Sequence, residues 1–127
     1  MQFKTLALVA IAAIVVSAQT FEDNPCTRCV LRSYTQDTSC KTLSTDDMNK
    51  LRAAIKPTKI EPLLLSAAVQ KPEIKACVCH WSRTAFGPGG AASSCISGAT
   101  PTCNDSQLDH VAGGVKNLGP FLGCGAA

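Results

Sequence analysis

The longest apolar stretch of the chain lies near its N-terminus. Leu6–Val16 is an unbroken run of eleven apolar residues, preceded by Lys4 and followed by small residues up to Ala18. A short cationic segment, an apolar run and small residues at the end are typical of a cleavable signal peptide, and the run is too short to span a bilayer. We therefore predict a signal peptide at residues 1–18, with cleavage between Ala18 and Gln19.

The remaining chain, residues 19–127, shows apolar residues at helical spacing behind helix-start signals. Five such segments occur: one beginning at Asn24-Pro25, one from Ser44 or Thr45 to Pro57, one from Pro62 towards Pro72, one from Pro72 through Trp81, and one from Asp105 to Asn117. No sustained alternation of β-branched residues indicates a strand. The pattern predicts one all-α domain, a small disulfide-stitched bundle of four to five short helices with long loops.

Glycine and proline indicate where the predicted helices are less stable or end. Gly113-Gly114 weakens the last predicted helix by about 1 kcal/mol per glycine, and Gly119-Pro120 is expected to end it. The stretch Gly87–Ser94 is expected to be a flexible loop because it is rich in glycine and serine.

No second long apolar run follows the signal peptide, so we predict no membrane span in the mature protein.

Composition and charge exclude several classes. Hydrophobic residues make up 46% of the chain and the formal net charge is only +3, whereas disordered chains are poorer in apolar residues and nucleic-acid binders are more basic. We therefore expect no nucleic-acid partner. Lysine and arginine are frequent between Lys50 and Lys75, but Asp46, Asp47, Glu61 and Glu73 are interspersed. A solvated helix face is favoured there over a surface for an anionic partner.

The chain contains eight cysteines, and all follow the predicted signal peptide. An even number of cysteines in an exported chain predicts four disulfides. They are Cys26, Cys29, Cys40, Cys77, Cys79, Cys95, Cys103 and Cys124. Cys26-x-x-Cys29 and Cys77-x-Cys79-His80 are spaced like pairs of metal ligands, but neither is followed by the second pair that a zinc site needs. No metal site is predicted.

The triplet Cys77-Val78-Cys79 lies in the fourth predicted helix. Residues two apart on a helix point about 200° away from each other. The two thiols are therefore expected to pair with different segments, which leaves Val78 to fill the core.

No recognisable catalytic motif is present. The chain has no G-x-S-x-G, no H-E-x-x-H and no paired-carboxylate pattern, so we predict no catalytic residue, no enzyme activity and no cofactor. His80 is expected to be structural or on the surface, and His110 to lie on a solvated face. Asn104-Asp105-Ser106 is an N-glycosylation sequon, which makes Asn104 a candidate modification site.

The cysteine order reads C-x2-C-x10-C-x36-C-x-C-x15-C-x7-C-x20-C. It resembles the small secreted cysteine-rich, effector-type proteins of fungi and, loosely, the eight-cysteine CFEM domain. The shared features are the Pro25-Cys26 start, the central C-x-C and three later single cysteines. Ile74 stands where haem-binding members of that family carry an aspartate. The resemblance implies the pairs Cys26–Cys77, Cys29–Cys79, Cys40–Cys95 and Cys103–Cys124.

The resemblance also implies a function outside the cell. We expect a secreted virulence-type effector that binds an extracellular host or cell-surface protein in the apoplast. One alternative is a CFEM-like haem or lipid module whose cavity is lined by Leu63, Leu64, Leu65, Val69 and Trp81. Another is an inhibitor of a secreted host enzyme that presents the loop Arg83–Ser94.

Overall fold

The computed structural model describes residues 19–97 and 102–125, so the predicted signal peptide lies outside the described residues. Helices form most of this part of the chain. In chain order they are α1 (Pro25–Arg32), a 3-10 helix (Ser33–Gln36), α2 (Thr45–Ala54), α3 (Pro62–Ala68), α4 (Pro72–Thr84), α5 (Ser93–Ile96), α6 (Asp105–Lys116) and α7 (Leu118–Leu122). All five predicted helices are confirmed.

Local capping explains where these helices begin. The side chain of Asn24 accepts a hydrogen bond from the Thr27 amide at 2.8 Å. Ser44 accepts one from the Asp47 amide at 3.1 Å in the same way. Proline occupies the first position of α1, α3 and α4, where its fixed φ suits a helix and its missing N–H is not needed.

The α6 helix starts with a reciprocal cap. The Gln107 amide donates to Asn104 Oδ1 at 2.8 Å, and the Asn104 amide donates to Gln107 Oε1 at 3.2 Å. Two of the amides that a helix leaves unpaired at its start are thereby satisfied.

A small sheet corrects the all-α prediction. Strands β1 (Gln19–Thr20), β2 (Ile55–Lys56) and β3 (Lys59–Ile60) lie in the order β1-β3-β2, and both pairings are antiparallel. Pro57 favours extended backbone at the residue before it, so α2 ends at Ala54 and the chain turns back as a hairpin. Strands of two residues are too short to produce an alternating pattern.

Two glycine-rich segments hold more hydrogen-bonded structure than the sequence indicates. The last predicted helix, α6, ends at Lys116, before Gly119-Pro120, as expected. Gly119-Pro120 itself lies within the further short helix α7, because a proline in the first turn removes an amide that has no partner there. The Gly87–Ser94 stretch forms successive hydrogen-bonded turns and the start of α5. In these turns the Gly90 amide donates to the Gly87 carbonyl at 2.9 Å and the Ala92 amide donates to the Ala85 carbonyl at 3.0 Å.

Four disulfides cross-link the helices, as predicted. Cys26–Cys103 and Cys29–Cys95 join α1 to the start of α6 and to α5, Cys40–Cys77 joins the segment after the 3-10 helix to α4, and Cys79–Cys124 joins α4 to the residues after α7. Cys77 and Cys79 thus reach different segments, and Val78 between them is fully buried. Both of these predictions are confirmed.

The pairing implied by the CFEM resemblance is wrong at all four bonds. It would join Cys77 and Cys79 to Cys26 and Cys29, which lie on one face of α1. The C-x-C thiols point to opposite sides of α4, so they cannot both reach that face. Each instead bonds to a segment on its own side.

Trp81 lies within the core. Its side chain is fully buried, its Nε1–H donates to Ser33 Oγ at 2.9 Å, and its ring meets Tyr34 edge to face with centroids 5.7 Å apart. Buried side chains from the other helices complete this core. Among the described residues, no helix has both the length and the apolarity that a membrane span requires.

Candidate functional site

The short helix α3 presents apolar side chains to solvent. Leu63 and Leu64 are 66% and 48% exposed, the only large hydrophobic side chains that are exposed in the described part of the chain. Ala67, one turn after Leu63, is also exposed. We call these three residues the leucine face. Leu65 between them is fully buried and fixes the helix to the core.

The cavity expected for a haem or lipid is not formed by the residues proposed to line it. Leu65, Val69 and Trp81 are packed in the core, whereas Leu63 and Leu64 face solvent. None of the five lines any of the three clefts found among the described residues.

A polar cleft of about 390 Å³ lies beside His80. The His80 Nδ1 donates to the carboxylate of Asp37, with distances of 2.8 and 2.9 Å to its two oxygens. Asp37 is almost fully buried and also accepts a hydrogen bond from the Ser39 amide at 2.8 Å. His80 therefore ties α4 to the segment after the 3-10 helix, which is a structural contact, while its ring also lines the cleft.

The glycine-rich turn forms the other wall of this polar cleft. Pro88, Gly89 and Gly90 line it together with Ser93 and Ser94. Part of the loop proposed to inhibit a host enzyme, Arg83–Ser94, therefore forms a wall of this cleft. Arg83 itself is exposed on α4.

A second, larger cleft of about 610 Å³ lies between α1 with the 3-10 helix on one side and the end of α2 with β2 on the other. Four cationic side chains line it: Arg28, Arg32, Arg52 and Lys56. We call it the basic cleft. Leu31, Tyr34, Ile55 and Pro57 supply an apolar lining.

Carboxylates engage some of these cations. Arg28 donates to Asp23 through Nε at 2.6 Å and through a terminal nitrogen at 3.0 Å. This hydrogen bond lowers the pKa of Asp23 and raises the pKa of Arg28. Glu61 is hydrogen-bonded by Lys59 and by Lys56, and these contacts lower the pKa of the Glu61 carboxyl.

The remaining candidate residues lie apart from these sites. Asn104 is exposed at the start of α6, so the sequon is on the surface, and its Oδ1 also caps the helix. His110 is exposed and its ring packs edge-on against Phe21 with centroids 6.1 Å apart. Within the described ranges, no group of three or more His, Cys, Asp or Glu side chains is placed to hold a metal ion.

Sequence reasoning missed both the leucine face and the basic cleft. A signal for the first existed, because three consecutive leucines on a helix are 100° apart and cannot all face the core. No signal for the second exists in a local pattern, since its walls come from two separated segments. Comparison of the chain with protein-family models, curated proteins and solved structures gives no match.

Proposed function

We propose that the chain is a secreted, non-enzymatic, cysteine-rich binding protein of the fungal effector type. It acts in the apoplast and binds an extracellular host or cell-surface protein through the leucine face. The observation that carries the proposal is the exposure of two adjacent leucines on a helix whose inner face is anchored in the core.

The leucine face has the properties of a protein-docking site. Burial of one leucine side chain stabilises a complex by about 1.5–3 kcal/mol relative to leaving it in water. Leu63 and Leu64 together therefore offer a hydrophobic anchor for a partner. Because Leu65 and Ala68 fix α3 to the core, the two leucines are presented without a large ordering cost on binding.

The cross-links support an extracellular site of action. Four disulfides in a small protein are typical of proteins that work in an oxidising environment. The effector-type role comes from the resemblance in cysteine order, and the binding mechanism comes from the leucine face.

The test is capture of proteins from the extracellular fluid of a host tissue. Three forms of the folded, disulfide-intact protein are immobilised: wild type, the double variant Leu63→Ser/Leu64→Ser, and a control with Ala53→Ser and Ala76→Ser, which are exposed helical positions outside the leucine face. Circular dichroism and non-reducing electrophoresis verify that all three are folded.

We expect wild type and control to capture the same protein, in a manner that soluble wild type competes away. The leucine variant is expected to lose it. Equal capture by the leucine variant would contradict docking through α3. Undiminished host colonisation after deletion of the gene would count against the effector role.

A further inference from the structure

The basic cleft has a charge imbalance that its own ion pairs do not remove. Arg28 is satisfied by Asp23, and Lys56 shares Glu61 with Lys59. Arg52 makes only one weak contact, to the side-chain oxygen of Asn49 at 3.3 Å.

Arg32 forms no ion pair with any residue that the structure describes. It lies one turn after Arg28 on α1, so the two guanidinium groups are on the same side of the helix. Two guanidinium groups, those of Arg32 and Arg52, therefore line the cleft without a carboxylate partner in residues 19–97 and 102–125.

Tyr34 supplies a second and independent feature. The residue is only 3% exposed, yet it lines the cleft, and its hydroxyl makes no hydrogen bond to a described residue. Since no buried side-chain oxygen in the described ranges lacks a partner, this hydroxyl is open to the cleft. Burial raises the pKa of this phenol, while the positive charge of Arg52 acts in the opposite direction. Tyr34 and Arg52 thus line the same cleft.

The apolar lining sets the other half of the recognition. Leu31 and Ile55 lie behind opposite sides of the cleft but are only 1% and 4% exposed, so the accessible apolar side chain of the lining is that of the exposed Pro57. A volume of about 610 Å³ is within the range of roughly 300–1,000 Å³ of small-molecule sites, which combine apolar walls with a few polar groups.

We propose that the basic cleft binds a small organic anion, with its carboxylate or phosphate held by Arg32 and Arg52 and its apolar body against Pro57. Guanidinium groups present parallel N–H donors that match the oxygens of such an anion. The Tyr34 hydroxyl donates a further hydrogen bond to the same group. Carboxylates and phosphate esters share this chemistry, and the experiment distinguishes them.

The probes are phenyl phosphate and benzoate, titrated into the full mature protein at low ionic strength and followed by calorimetry and by two-dimensional NMR. Benzyl alcohol serves as the neutral counterpart and inorganic phosphate as the anion without an apolar body. The variants are Arg32→Gln/Arg52→Gln and Tyr34→Phe. Lys50→Gln is the matched control, since it removes an exposed cation of α2 that does not line the cleft.

We expect at least one aromatic anion to bind and to shift the signals of Tyr34, with the arginine variant binding about tenfold more weakly. The Lys50 control is expected to match wild type, and Tyr34→Phe to weaken binding. The relative affinities of phenyl phosphate and benzoate identify the preferred acid.

Three results would overturn the proposal. These are binding of benzyl alcohol equal to that of the anions, unchanged affinity in the arginine variant, or absence of binding by both aromatic anions. Inorganic phosphate binding as tightly as phenyl phosphate would overturn the apolar contact at Pro57. Because the leucine face is not part of the cleft, Leu63→Ser/Leu64→Ser is expected to bind the probes as wild type does, so this proposal and the proposed function fail separately.

Discussion

Alanine substitutions at two adjacent glycines of α6 are expected to have different effects on stability. A Cβ added at Gly113 meets no heavy atom within 4 Å. A Cβ added at Gly114 would lie closer than 3.0 Å to two ring carbons of Phe21 and 3.2 Å from Gln19 Oε1. Neither glycine has a positive φ, so alanine fits the helical backbone at both positions.

The magnitude follows from two opposing contributions. Alanine is favoured over glycine inside a helix by about 1 kcal/mol. Gly113→Ala is therefore expected to raise the free energy of unfolding by about 1 kcal/mol and the Tm by about 4–8 °C. At Gly114 the same gain is opposed by overpacking against Phe21, which costs about 1–3 kcal/mol, so the net change is about 0–2 kcal/mol of destabilisation.

Moving Phe21 away from α6 would cost stability. Its amide donates to the Thr58 carbonyl at 2.8 Å, and its ring packs edge-on against His110. Displacement of the ring therefore breaks packing that joins the N-terminal strand to α6.

The assay is urea and thermal denaturation of the oxidised protein, followed by circular dichroism. Phe21→Ala provides the control, because Gly114→Ala in that background is expected to stabilise as Gly113→Ala does in wild type. A Gly114→Ala protein as stable as Gly113→Ala in the presence of Phe21 would refute the close packing of this segment against α6.

The cross-links and the buried polar groups lead to four further predictions. Peptide mapping under non-reducing conditions is expected to recover Cys26–Cys103 among four bonds, and a peptide joining Cys103 to Cys124 would contradict the pairing. Excess dithiothreitol should abolish the cooperative thermal unfolding transition. Burial raises the pKa of Tyr34, the only tyrosine, above its ordinary value of 10.0. Its ultraviolet absorbance should therefore titrate with a midpoint above 10.0, and a midpoint at or below 10.0 would contradict this. The native state retains the proton longer than the unfolded chain does, so stability that is present below pH 10 should fall as the pH rises through the folded-state pKa. His80→Ala leaves Asp37 buried without its imidazole partner, so urea denaturation should show a loss of about 1.5–3 kcal/mol, and unchanged stability would show that this hydrogen bond contributes little.

The helices were predictable from sequence because their signals are local. The capping side chains of Asn24 and Ser44 each contact an amide three residues away, and proline at Pro62 and Pro72 acts on its own backbone. Such signals need no knowledge of the fold. They do not indicate α7, a short helix that is stabilised by tertiary packing of Leu118 and Leu122.

The disulfide pairing and the clefts depend on long-range geometry. That Cys77 and Cys79 diverge follows from helix geometry, but which segment each one meets depends on how α4 packs against its neighbours. The basic cleft likewise joins residues near Arg32 to residues near Arg52, which no local pattern links. Their charge pattern alone favoured a solvated face, since sequence does not reveal which acidic side chains pair with which cations.

The order of the disulfides along the chain has a consequence for resistance to proteases. The bonds Cys26–Cys103, Cys29–Cys95 and Cys79–Cys124 overlap, so every peptide bond between residues 29 and 103 is spanned by at least two of them. A single cut there leaves two fragments that remain covalently joined in their native arrangement. A protease must therefore cleave more than once to release a fragment of this region.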